Sequence, residues 1–178
     1  MPVYRSIDYE QVISRIKGKV LALGIKMGDV LCEKEISDFE ERHRVQLPQA
    51  YRIFLKEVGN GCNMIDGFQL YSLADIQARD LSQPFVLEDE WIWEDDDAAW
   101  ADLVKMIDAK LKGQFELINI GDGMGYNLIV TGQCRGEVWS FADVGVQPCC
   151  ERQDFLGWFE LWLDMQDDVD YFKDYIYE

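Results

Sequence analysis

Histidine is almost missing from this chain, which has one such residue, His43, among 178. A Ser–His–Asp or Cys–His catalytic site would have to use this residue, because histidine is the usual base beside such nucleophiles. His43 lies in a charged run at the end of a predicted surface helix. We therefore expect a solvated helix terminus, no catalytic residues, and a protein that is not an enzyme.

Paired cysteines of the CxxC type are also missing. The five cysteines include the adjacent Cys149 and Cys150, and their number is odd. The odd number argues against a disulfide framework, and the lack of a CxxC pair argues against a zinc site. We expect reduced thiols, with a strained disulfide between the adjacent Cys149 and Cys150 as the alternative. We expect no metal and no cofactor.

No GxxxxGK[ST] phosphate-binding sequence occurs either. The nearest approach is GDGMG at residues 121–125. Dinucleotide-binding loops lead from a strand into a helix whose N-terminus meets the phosphate, whereas here a predicted strand follows. We interpret residues 121–125 as a hairpin turn.

Long apolar runs are absent. None approaches the ~20 residues that span a bilayer, and the first residues, MPVYRSIDYEQV, lack the apolar core of a signal peptide. We expect a cytoplasmic protein without a membrane segment.

Positive charge is scarce in the larger part of the chain. The formal net charge is −17; residues 1–60 hold ten Lys/Arg against nine Asp/Glu, and residues 61–178 hold seven against twenty-five. Such acidity repels phosphate backbones, so we expect no nucleic-acid partner. It favours a basic protein partner through electrostatic steering. The alternative is that the acidity only keeps the protein soluble.

Acidic and aromatic residues are concentrated between residues 84 and 97. We predict that the chain is extended from residue 84 and that a helix runs from Glu94 to about Lys112. Exposed tryptophans amid carboxylates would form a docking surface, in which the rings give affinity and the charge steers. Three alternatives remain. The rings could be part of the core, the carboxylates could form a solvated helix start, or the carboxylates could bind Ca²⁺ or Mg²⁺. The candidate partner-binding residues are Glu88, Asp89, Glu90, Trp91, Trp93, Glu94, Asp95, Asp96 and Asp97.

Three short apolar runs separated by glycine-rich turns predict an antiparallel meander between residues 115 and 141. Alternation places Tyr126, Leu128 and Val130 on one face and Ile129 on the other. Apolar residues on both faces predict a strand covered on both sides; we expect the helices on one face and an irregular loop at residues 143–150.

Helical spacing predicts four further helices, at residues 7–23, 33–43, 48–58 and 155–163. In the predicted helix 94–112, the residues placed on the apolar stripe are Trp100, Leu103, Val104, Ile107 and Leu111.

Three segments in this order resemble the SUKH superfamily, in the branch of the Smi/Knr cell-wall regulators. They are the helix pair ISDFEERHRVQLPQAYRIFLKEVGNG at 36–61, the glycine-broken strands IGDGMGYNLIVTGQCRGEVWSF at 120–141, and the helix FLGWFELWL at 155–163. The resemblance implies an α+β fold with an antiparallel sheet of about five or six strands packed by helices. It also implies a non-enzymatic partner-binding protein, as in bacterial immunity proteins that neutralise toxins.

Together these observations predict a single α+β domain. We divide the chain into an N-terminal helical extension (1–32), a SUKH-like domain (33–164) and an acidic tail (165–178). The predicted function is an immunity protein that occludes a basic toxin, possibly a nuclease, with an acidic face. A regulatory scaffold for host proteins is the alternative, and a carboxylate-based metal-binding or enzymatic domain is a weaker one.

Overall fold

The computed structural model describes residues 9–63, 67–95, 97–149 and 154–164, and of Asp95 it describes the backbone only. The fold is α+β, as the sequence predicts. The elements in chain order are α1 Tyr9–Ala22, α2 Glu33–His43, α3 Gln49–Glu57, β1 Cys62–Asn63, β2 Gln69–Leu70, β3 Trp91–Ile92, a 3₁₀ helix Trp93–Asp95, α4 Trp100–Lys110, β4 Gln114–Gly121, β5 Met124–Ile129, β6 Val138–Phe141, β7 Gly145–Pro148 and α5 Phe155–Asp164.

The main sheet has five antiparallel strands in the order β3-β7-β6-β5-β4, and β1 and β2 form a separate hairpin-like pair. Strands β4 to β6 are the predicted meander. Asp122 and Gly123, both with positive φ angles, form the turn between β4 and β5. The predicted hairpin turn therefore lies within residues 121–125, whose other members belong to the two strands.

The prediction of an irregular loop at residues 143–150 was wrong, because β7 lies there. Val146 is fully buried and pairs with both β3 and β6. Gly145 resembled a loop residue in the sequence, but its role is to let β3 approach. A Cβ at this position would lie 2.7 Å from the Trp91 carbonyl oxygen.

The two faces of the sheet carry different cores. Tyr126, Leu128 and Val130 pack with helices α1, α3 and α5, while Ile129 packs on the other face with Leu103 of α4. The predicted alternation is therefore correct. Helices α1, α3 and α5 cover one face, as expected, and α4 covers part of the second face as well.

The predicted helix 94–112 begins six residues too early. Its observed counterpart is α4, and the carboxylates at 94–97 precede it. The backbone N–H groups of Trp93 and Glu94 both donate to the Val144 carbonyl, at 3.0 and 3.2 Å. This stretch is therefore tied to the sheet edge, which competes with helix formation.

Helix α5 is buried along nearly its whole length. Asp154 caps its start by accepting a hydrogen bond from the Gly157 backbone N–H at 3.1 Å, as expected for an N-cap residue. Trp158 and Trp162 lie in the core with Phe155 and Phe159. Since every residue from Phe155 to Leu163 is buried, this helix requires cover on all sides.

Helix α1 supplies part of that cover and the charges that α5 needs. Val12 and Ile16 are fully buried in the same core. Glu160 of α5 is 4% exposed, and Arg15 contacts both of its carboxylate oxygens at 2.9 Å. Lys19 lies 3.0 Å from the same carboxylate. The N-terminal helix is thus part of the main core, whereas the predicted acidic tail 165–178 lies outside the described residues.

We predict that Arg15→Met lowers the free energy of unfolding by about 2 kcal/mol, because a buried carboxylate loses two charge-assisted hydrogen bonds. The double variant Arg15→Met, Glu160→Met should recover most of this loss, since apolar residues can replace a buried ion pair. Urea unfolding followed by tryptophan fluorescence measures both values.

The matched control is Lys17→Met on the same helix. Lys17 forms a pair with Glu57 in which both side chains are about half exposed, so its loss should change stability by about 1 kcal/mol or less. An Arg15 variant no less stable than the Lys17 variant would contradict the role assigned to Glu160.

Candidate functional site

The part of the candidate segment around β3 lies at an edge of the main sheet. Glu88, Asp89 and Glu90 form an exposed bend that leads into β3, and Glu94 lies in the following 3₁₀ helix. The side chains of Glu94 and Asp97 are also exposed. Asp96 and the side chain of Asp95 lie outside the described residues. Five of the seven predicted carboxylates are thus placed, and all five face solvent.

The backbone of this segment is fixed to the rest of the fold. Strand β3 pairs with β7 through Trp91↔Val146 and Ile92↔Gly145. Just before it, the Cys134 thiol lies 3.6 Å from the Leu87 carbonyl oxygen and 3.8 Å from that of Glu88. The bend that carries Glu88, Asp89 and Glu90 is therefore held to the rest of the fold at both of its ends.

The two candidate tryptophans have different environments. Trp93 is 7% exposed, and its indole N–H donates to the Asp143 carbonyl at 2.6 Å. Trp91 is half-buried; its ring packs edge-on against Trp93 with centroids 5.2 Å apart, and the Lys110 ammonium lies 4.2 Å from its centroid. Trp93 is thus a buried support for the segment, and of the two rings only that of Trp91 has surface exposed to solvent.

An exposed aromatic residue lies at a position that helical spacing places on the apolar stripe of the predicted helix. Trp100, the first residue of α4, is 70% exposed, and Val104 one turn later is also exposed. Of the predicted apolar stripe, Leu103 alone is buried. Ile107 and Leu111 are partly buried against the core on the α4 side of the sheet, which contains Leu103 and Ile129. The helical period indicates the face on which Trp100 lies, but it does not tell whether another element covers that face.

A family model described as the SMI1/KNR4 family (SUKH-1) matches residues 31–168. The chain belongs to the SMI1/KNR4 family. No curated protein and no solved structure matched it.

SMI1/KNR4 membership confirms the resemblance seen in the sequence and supports a protein-binding, immunity-type module in general. Domains of this family are generally non-enzymatic and act in immunity or regulation. The match leaves out α1, although α1 contributes to the core, so the boundary at residue 33 stays a prediction. Among the described residues, no helix is both long and apolar enough to cross a bilayer.

His43 is the last residue of α2, and its ring lies 4.4 Å from that of Phe39. Burial and the neighbouring Arg42 lower the pKa of His43, which favours the neutral ring near pH 7. Within ranges 9–63, 67–95, 97–149 and 154–164, no cluster of three or more His, Cys, Asp or Glu could hold a metal ion.

Cys134 is a buried thiol that contacts the start of the acidic bend. Burial, and then the nearby Glu137 carboxylate, raises the pKa of its thiol to about 11, from an ordinary value of about 9.0. The folded state therefore holds this proton more tightly than the unfolded chain. The stability that follows is complete below about pH 9 and is lost as the pH rises through about 11.

We predict that the wild-type protein loses more stability between about pH 8 and about pH 10.5 than the Cys134→Ala variant, because the variant has no thiol to ionise. Urea unfolding at the two pH values measures this difference. Tyrosines and lysines that titrate in the same range are common to both proteins and cancel in the comparison. Equal losses would show that the thiol is not held neutral by its surroundings.

Proposed function

We propose that this chain is an immunity-type module that binds a basic protein toxin through one acidic surface. We define the acidic surface as the exposed carboxylates of Glu88, Asp89, Glu90, Glu94 and Asp97; Asp95 and Asp96 join it by sequence. The observation that carries the proposal is that the five described carboxylates face solvent, and that the stretch carrying Glu88, Asp89, Glu90 and Glu94 is held to the fold through Cys134, β7 and Val144.

The physical basis is electrostatic. Carboxylates held on a fixed backbone present negative charge without a large ordering cost when the partner arrives. Lysine and arginine side chains that bind phosphates in a nuclease would find a similar array of anions here. Complementary charge of this kind raises the association rate and weakens with salt.

Exposed aromatic surface complements the charge. Trp100 stands three residues beyond Asp97, the last carboxylate of the acidic surface, and Trp91 lies within the segment itself. Tryptophans surrounded by polar residues are common anchors in protein interfaces. In this proposal the carboxylates steer the partner, and Trp100 and the exposed part of Trp91 hold it.

A regulatory scaffold that binds host proteins is the second candidate, and SMI1/KNR4 membership supports it as well as immunity. Capture on the immobilised full chain, eluted with a salt step and analysed by mass spectrometry, separates the two. One basic partner that is toxic when expressed alone supports immunity. Several host proteins without toxicity support the scaffold.

We predict that the triple variant Glu88→Lys, Asp89→Lys, Glu90→Lys slows association with the captured partner by about tenfold or more at low salt. Its control is Glu10→Lys, Asp29→Lys, Glu41→Lys, which changes three exposed carboxylates elsewhere and alters the net charge by the same amount. Surface plasmon resonance at several salt concentrations measures both. If the two triple variants slow association equally, only net charge matters and the acidic surface is not the site.

We predict that Trp100→Ser increases the dissociation rate of the same complex by about tenfold or more, while the association rate changes little. Protein stability should stay unchanged because the side chain is mostly exposed. The control is Leu21→Ser, at an exposed apolar residue on α1, which should affect neither rate. An unchanged dissociation rate for the Trp100 variant would remove this residue from the interface.

A further inference from the structure

A cavity of about 270 Å³ lies between the end of α4, residues 77–80 and strands β4 and β5. It opens to solvent and is separate from the segment 88–97, none of whose residues line it. Its apolar wall includes Ile107 and Leu111, and Asn127 of β5 lines it as well. Asn127 is 6% exposed, so its side chain has little contact with solvent.

A chain of hydrogen bonds fixes how the Asn127 amide is turned. The Leu111 carbonyl can only accept, so Gln114 donates to it through Nε2, at 3.0 Å. The Gln114 oxygen Oε1 therefore faces Asn127, which donates through Nδ2 at 2.7 Å. The Asn127 oxygen Oδ1 is left over, and it has no hydrogen-bond partner in the part of the chain that the structure describes.

A buried acceptor of this kind calls for an N–H or O–H donor, because buried polar groups are almost always hydrogen-bonded. The same amide relay prevents Asn127 from exchanging its oxygen and nitrogen without breaking the bond to Gln114. A molecule that occupies the cavity and donates a hydrogen bond would satisfy this oxygen. The relay thus specifies a donor and excludes an acceptor at this point.

The charges around the cavity specify the sign of the occupant. Carboxylates from Asp80, Asp108 and Glu116 line it, against the cations Arg79 and Lys112. Lys112 already lies 3.1 Å from the Asp80 carboxylate and 3.6 Å from that of Asp108. A net negative rim favours a cation, and the apolar wall favours an aliphatic stem behind the charge.

We propose that this cavity binds an alkyl guanidinium or alkyl ammonium group, with an N–H of the cationic head donating to Asn127 Oδ1. An arginine or lysine side chain of a partner and a free aliphatic amine share this chemistry. The first source rests on the proposed function, since it requires a basic partner. The second does not.

The test is an NMR titration of the ¹⁵N-labelled full chain with N-acetyl-arginine amide, which carries the guanidinium on a peptide-like backbone. We expect saturable shifts of the side-chain amide signals of Asn127 and Gln114. The matched probe is N-acetyl-citrulline amide, in which a neutral urea of similar shape replaces the guanidinium. It should bind about tenfold more weakly, because the charge-assisted bond is lost.

Two variants connect the binding to the cavity. Asn127→Leu should weaken binding of the arginine probe by about tenfold, since the acceptor is removed. Asp108→Asn, at an exposed residue whose change leaves the core intact, should weaken it by a smaller factor. The control Asp102→Asn, an exposed residue of α4 that does not line the cavity, should leave binding unchanged.

Several outcomes would overturn the proposal: no saturable shift at Asn127, equal binding of the arginine and citrulline probes, or unchanged binding in both the Asn127 and the Asp108 variant. Any of these would leave the cavity occupied by solvent only.

A titration with agmatine, a free alkyl guanidinium with a second amine, distinguishes the two possible sources of the cationic group. Agmatine binding much more tightly than N-acetyl-arginine amide indicates a free amine. Equal or tighter binding of the peptide-like probe indicates a partner's side chain. The proposals for the cavity and for the acidic surface can fail independently. The triple variant at residues 88–90 leaves the cavity intact, and Asn127→Leu leaves the acidic surface intact.

Discussion

Glu160 is a carboxylate in the middle of a helix that is buried on every side, and two cations of α1 make this position possible. A buried carboxyl group without a partner ionises only at great cost, so Arg15 and Lys19 stabilise α5 in the core that it shares with α1 and α3. Helix α5 packs in one core with α3 and with Tyr126, Leu128 and Val130 of the sheet, so the ion pair lies at a position on which several elements converge. The residues that supply the cations precede the matched family segment, so this chain needs more than the matched residues to complete its core.

The second face of the sheet is built differently, and the candidate surfaces lie on that side. The first face is filled by α1, α3 and α5, which leaves little of it for a partner. On the second face, α4 buries Leu103 but leaves Trp100 exposed, and the acidic segment is held at the β3 edge by Gly145 and Val144. The same helix ends beside the cavity that Asn127 lines. The acidic segment, the exposed Trp100 and the cavity lined by Asn127 therefore all lie on the side of the sheet that α4 covers.

Local sequence patterns predicted correctly those features that depend only on neighbouring residues. Alternation placed Leu128 and Ile129 on opposite faces correctly, and Asp154 marked the start of α5. The pattern failed where a distant contact decides: β7 forms because Gly145 admits β3, and the early helix start at Glu94 is prevented by Val144. The acidity of the site was visible in the sequence. The exposure of Trp100, the support from Cys134 and the Asn127–Gln114–Leu111 relay were not, since each depends on how separate segments pack.

The proposed function requires that the exposed carboxylates of residues 88–97 bind a basic partner. Carboxyl footprinting, in which a carbodiimide and an amine label accessible Asp and Glu side chains, tests it directly when the free chain is compared with the saturated complex. We expect protection of Glu88, Asp89, Glu90, Glu94 and Asp97, with Glu10 and Glu41 labelled equally in both states. Protection confined to carboxylates outside residues 88–97 would contradict the account, even if the complex were tight and salt-sensitive.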